Sequence, residues 1–78
     1  MVTRNITINS DYEAWRQLPY TFPAPLSSVY AGLMGVHPAS GKTAQFFVTP
    51  SGDLICSTAI TNEYYGSWSI SGAYVGES

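Results

Sequence analysis

Tyr64-Tyr65-Gly66-Ser67-Trp68-Ser69-Ile70-Ser71-Gly72-Ala73-Tyr74-Val75 is the stretch that decides how this chain reads. From Trp68 onward, large residues alternate with small ones. Trp68, Ile70 and Tyr74 fall on one side with Gly72 in register, and Ser67, Ser69, Ser71 and Ala73 fall on the other. A strand turns successive side chains to opposite faces, so this pattern predicts a strand with one bulky and one flat face. A helix is excluded here, because Ser and Gly at alternate positions are poor helix formers and no apolar stripe of period 3.6 appears. The bulky face is expected to meet a core, and the flat face to lie close to another sheet or subunit.

Working outward, the other segments read in the same way. Ile6 and Ile8 alternate with Asn5, Thr7 and Asn9, which predicts a short half-buried strand. Over Tyr12–Leu18 helix and strand compete, since Tyr12, Trp15 and Leu18 also fit helical spacing; strand or irregular structure is preferred. Pro19, Pro23 and Pro25 exclude a helix and a central strand over Leu18–Pro25. An edge strand or extended crossover remains, with Tyr20 and Phe22 as anchors on one side. Leu26-Ser27-Ser28 is a short connection. Ser28–Val36 is apolar on both faces and contains Gly32 and Gly35, so it reads as a strand covered on both sides or pressed against a neighbouring subunit. His37–Lys42 is a loop by composition. Thr43–Thr49 and Leu54–Thr58 are the arms of a hairpin whose turn, Pro50-Ser51-Gly52-Asp53, offers a glycine for positive φ. The tail Gly76-Glu77-Ser78 is expected to fray. Five or six short strands separated by Pro, Gly and Ser turns predict one all-β domain over residues 1–78, a small antiparallel β-sandwich or barrel of about six strands.

Size and composition narrow the function classes. A 78-residue domain is marginal on its own core, and small domains escape this with disulfides, metals or oligomerisation. The single Cys56 cannot form an internal disulfide, and one histidine without a cysteine cluster makes a poor metal site. Self-association is the remaining route. Cys56 itself reads as a small buried residue within an apolar run. Arg4, Arg16 and Lys42 against five carboxylates give a net charge of -2, so no basic patch supports nucleic-acid binding. No apolar run reaches membrane-spanning length, and no cofactor motif is present.

An ordered series of motifs carries a family likeness. Thr21-Phe22-Pro23-Ala24-Pro25-Leu26 is followed by a strand, then Phe47-Val48-Thr49-Pro50-Ser51-Gly52, another strand, and a terminal Trp68-Ser69-Ile70-Ser71-Gly72. This series resembles the C-terminal receptor-binding domains of phage tail fibres and related virion proteins, which are similar in architecture to H-type lectins. The residue after Gly52 is Asp53, where the family pattern carries an aromatic. The resemblance spans about residues 18 to 75. It implies a six-stranded antiparallel β-sandwich, a homotrimer, a place in the virion at the phage tail, and contact with a bacterial cell-surface saccharide.

Catalysis finds little support in the residues. His37 precedes a proline in a loop, no nucleophile elbow is present, and the carboxylates show no paired spacing suited to glycoside hydrolysis. A non-catalytic binding module is therefore expected; a structural trimerising cap without a ligand is the alternative. Saccharides are held by aromatic faces and a few polar groups in a concave site. Asn62-Glu63-Tyr64-Tyr65 offers both kinds of group in one loop, and His37 and Lys42 reach the same rim if the loops cluster at one end. His37, Asn62, Glu63, Tyr64 and Tyr65 are thus the candidate ligand-binding residues, although Tyr64 and Tyr65 also read as strand-edge core. Trp15 reads as a packing anchor or a sugar platform, and Trp68 as core.

Overall fold

The computed structural model describes residues 2–26 and 29–76. In chain order the strands are β1 (Val2–Ile8), β2 (Gln17–Thr21), β3 (Ala31–His37), β4 (Lys42–Val48), β5 (Asp53–Cys56) and β6 (Gly66–Gly72). A single turn of 3-10 helix at Asn62–Tyr64 precedes β6. All pairings are antiparallel and the strands form one sheet in the order β1-β6-β3-β4-β5-β2. The all-β, six-stranded antiparallel architecture is as expected. Its layers are those of a single sheet rolled nearly into a barrel, so consecutive strands β1 and β2 stand at opposite edges that the roll brings together.

Period-two burial sorts the side chains. Ile6 and Ile8 of β1, Leu33 of β3, Phe46 and Val48 of β4, Leu54 and Cys56 of β5, and Trp68 and Ile70 of β6 fill the interior. A compact monomer of 8.4 kDa exposes about 4,600 Å² by the usual scaling. This chain exposes 4480 Å², so its interior closes within one copy. Packing at the centre is tight. A Cβ placed on Gly35 would lie 2.2 Å from the Phe46 ring, so only a glycine lets that ring cross β3.

Local structure follows the sequence closely in places and departs in others. Gly52 takes φ 90 in the turn between β4 and β5, the positive value its glycine permits. Tyr12 joins Ile60 through a reciprocal pair of backbone hydrogen bonds at 3.0 and 2.8 Å, a single bridge where helix and strand competed. Residues 14 and 15 then turn the chain into β2. β6 ends at Gly72, so Tyr74 reaches the core beyond the strand and donates from its hydroxyl to the Pro23 carbonyl at 2.7 Å. The largest departure is β3. Its expected double cover is absent within the chain: Gly32 and Met34 face outward and are exposed, because no second layer lies over that side of the rolled sheet. Ser27, Ser28, Glu77 and Ser78, in the expected connection and frayed tail, lie outside the described residues.

The seam between β1 and β2 is closed by side chains. Pro19 has no N–H to offer a neighbouring strand, and β2 is irregular, its Gln17 and Thr21 pairing with Ile55 and Asp53 across a register shift. Tyr20 takes over the bonding. Its hydroxyl donates to the Thr7 carbonyl at 2.7 Å and accepts from the Thr7 N–H at 2.9 Å, acting as one rung of a ladder. Arg4 adds a bond from its guanidinium to the Thr21 carbonyl at 2.7 Å and lies 5.4 and 5.1 Å from the ring centres of Tyr20 and Phe22. Tyr20→Phe keeps the ring and removes that rung. A cost of about 1 kcal/mol is expected, with the melting temperature lowered by about 4–8 °C and faster amide exchange at Thr7. An unchanged melting curve would show that the seam does not hold the barrel.

Candidate functional site

Two regions of the barrel bring functional side chains together. The first is the pole where β3 ends and β6 begins. Val2 pairs with Gly72 at one pole, whereas Ile8 pairs with Gly66 and His37 with Lys42 at the other. The loops expected to share a rim do so. Lys42 places its Nζ 5.3 Å from the centre of the Tyr64 ring, and Tyr64 meets the His37 ring edge-on at 6.1 Å.

Within this rim the five sequence candidates occupy different environments. His37 is the one buried polar side chain among the described residues, 3% exposed. Its Nε2 lies 2.8 Å from the Tyr65 carbonyl, which can only accept, so Nε2 carries a hydrogen. In the neutral ring Nδ1 then accepts from the Ser40 hydroxyl at 2.6 Å, and the same oxygen accepts from the Lys42 N–H at 3.2 Å. Both imidazole nitrogens thus tie the β3–β4 turn to the segment before β6. Trp68 strengthens that tie through its indole N–H, donated to the Tyr64 carbonyl at 2.8 Å. Tyr64 and Tyr65 are half-buried, and Asn62 and Glu63 are exposed on the helical turn between them and Thr61. Tyr65 donates from its hydroxyl to the Asp11 carboxylate at 2.5 Å. That bond, with smaller contributions from desolvation and from the negative charge of Asp11, raises the Tyr65 phenol above its ordinary range.

The second region lies on the outer flank of the sheet. Strand register places Gln17, Ile55, Phe47 and Gly32 in one row across β2, β5, β4 and β3, all on the outward face. Trp15, Tyr30, Phe47 and Ile55 line an open groove of about 420 Å³, within the size range of small-molecule sites. Trp15 stacks on Phe47 with ring centres 5.7 Å apart and planes inclined at 26°. Trp15 and Tyr30 are each 59% exposed, so both offer ring faces to solvent. At the end of the row Gln17 donates from Nε2 to Asp53 at 3.1 Å. Beside it Gln45 donates from Nε2 to the Leu33 carbonyl at 3.0 Å.

Sequence reasoning singled out Trp15 as anchor or platform but assigned no role to Tyr30, Phe47 and Ile55. The signal was present in the run apolar on both faces, which places Tyr30 and Met34 outside once β3 has only one covered side. Finding the partners on β4, β5 and the Trp15 turn required the strand order. Among the described residues, no three of His, Cys, Asp and Glu gather as a metal site.

No protein-family model, curated protein or solved structure matches the chain. The likeness to fibre-tip domains therefore rests on the motif residues alone.

Asp11→Ala tests the tie at the pole. Tyr65 is held protonated by the fold, so this contribution is present below the ordinary phenol range near about 10 and is lost as pH rises through the higher folded value. Ultraviolet titration of Asp11→Ala is expected to show one tyrosine titrating at lower pH than in the wild type, toward the ordinary range. Tyr74, raised by desolvation, remains shifted and serves as the internal control.

Proposed function

We propose that the chain is a non-catalytic saccharide-binding module of the kind that ends phage tail fibres, acting as a homotrimer on the virion to recognise a bacterial surface saccharide. The observation that carries this reading is the groove of Trp15, Tyr30, Phe47 and Ile55. Saccharides present C–H faces that lie on aromatic rings and hydroxyls that bond to amide and carboxylate groups. The groove supplies aromatic surface from Phe47 of β4, from Tyr30 just before β3 and from Trp15 in a turn. Gln17 lies in the same row of the sheet, and Gln45 is two residues from Phe47 on β4. Concave, largely apolar surfaces with a few polar groups nearby are the usual form of a small-molecule binding site. With both nitrogens engaged within the fold, His37 has neither free for acid–base catalysis.

The rim of His37, Asn62, Glu63, Tyr64 and Tyr65 lies at the pole opposite the Val2–Gly72 pair. Asn62 and Glu63 are exposed there and would extend recognition. A structural trimerising cap is the second reading. It is favoured by Leu26, Met34 and Val75, which are apolar and about half or more exposed.

A glycan array of bacterial surface saccharides, read with wild type and Phe47→Ala, separates the readings. Binding is expected in the wild type and is expected to fall at least tenfold in the variant, equivalent to about 1.4 kcal/mol. Solution mass is expected at three times 8.4 kDa. A trimer that binds no saccharide on the array favours the cap, and a monomer removes the fibre-tip assembly.

A further inference from the structure

Trp15 has φ 67 and is the one non-glycine residue with positive φ among the described residues. For a bulky side chain this left-handed conformation is a strained outlier, since Cβ crowds the following carbonyl. It is held by two contacts. The Trp15 N–H donates to the Cys56 carbonyl at 2.8 Å, and the ring stacks on Phe47. A glycine would satisfy the same turn without strain. The ring held there is nevertheless 59% exposed, so it contributes less to burial than a core tryptophan such as Trp68. Strain of this kind persists where the surrounding structure over-determines it and collects at binding sites.

Charge around the groove narrows what the ring can meet. The chain has three cations; two are placed elsewhere, and the third, Arg16, follows Trp15 in the chain and stands in an exposed pair with Glu13. Arg4 serves the β1–β2 seam, Lys42 lies over Tyr64 at the pole, and Arg16 stands 3.8 Å from Glu13. Gln17 spends one amide N–H on Asp53 and Gln45 its amide on the carbonyls of Leu33 and Phe46, and among the described residues neither side-chain oxygen accepts a hydrogen bond. Asp53 adds a carboxylate at the same end. Acceptors and a negative charge favour hydroxyl donors and disfavour an anion.

We infer that Trp15 is the specificity-determining residue of the groove, presented by a strained left-handed turn, and that it selects uncharged pyranose units with a C–H face over uronic acids. This deepens the saccharide reading and rests on it. Strain and ligand class are tested by separate measurements on Trp15→Gly, Trp15→Ala and the wild type. Thermal unfolding is expected to place Trp15→Gly above Trp15→Ala, the reverse of the order at ordinary positions. Tryptophan fluorescence titration of the wild type is expected to respond to cellotriose or chitotriose at least tenfold more strongly than to trigalacturonic acid. Both variants, followed by ligand-observed NMR, are expected to lose at least tenfold in affinity for the neutral sugar. Trp15→Ala melting at or above Trp15→Gly would overturn the strained presentation while leaving saccharide binding standing. Preference for the uronate would overturn the selection rule. Neutral-sugar affinity retained in both variants would remove Trp15 from recognition even if the groove binds. No response to any of the three sugars, with Trp15→Gly melting above Trp15→Ala, would overturn the inference through the saccharide reading rather than through the backbone.

Discussion

Closure of the rolled sheet along the β1–β2 seam is the constraint on which the rest of this barrel depends. Every other neighbouring pair of strands is joined by backbone pairing, but β2 contains Pro19 and an irregular register, and cannot complete a regular ladder with β1. The Tyr20 hydroxyl and the Arg4 guanidinium supply the missing bonds from side chains. With the seam closed, Ile6 and Ile8 of β1 face the same interior as Leu18 of β2 and Leu54 of β5. With it open, those residues would line the edge of a curved sheet exposed to water. A small domain has little reserve of burial to offset such exposure.

The same roll explains the placement of the two candidate regions. Curling the sheet puts the β3–β4 turn, the helical turn before β6 and the Tyr12–Ile60 bridge around one pole. There His37 acts as an internal tie, and Asn62 and Glu63 stay exposed. The outer flank has no second sheet to cover it. Phe47 is therefore left beside Trp15 and Tyr30 as an aromatic surface floored by Ile55, while Gly32 keeps the row low between Phe47 and Gln45. One architecture thus produces a polar rim and an apolar groove on different surfaces.

Much of this was legible in the residues. The alternation around Trp68 and Ile70, the turn at Gly52, the edge character imposed by Pro19 and the burial of Cys56 follow from period, propensity and sterics acting over a few neighbouring positions. The clustering of Lys42 and His37 with Tyr64 also followed once the loops were taken to share an end. What could not be read locally depended on strand order. Tyr30, Phe47 and Ile55 come from three segments that become neighbours only when β5, β4 and β3 lie side by side. The burial of His37 depended on a carbonyl 28 positions away. The positive φ of Trp15 had no local signature at all, because the Cys56 carbonyl and the Phe47 ring that hold it are tertiary partners.

The pairing of Val2 with Gly72 has a mechanical consequence. Tension applied directly between Val2 and Gly72 would peel β1 from β6 one rung at a time, the arrangement in which a ladder resists least. Tension on residues beyond Gly72 first loads the Tyr74–Pro23 bond and the Pro25–Gly76 bridge. Tension between Val2 and the flank instead crosses β6 and β3 on its way to β4 and β5, so several ladders share the load.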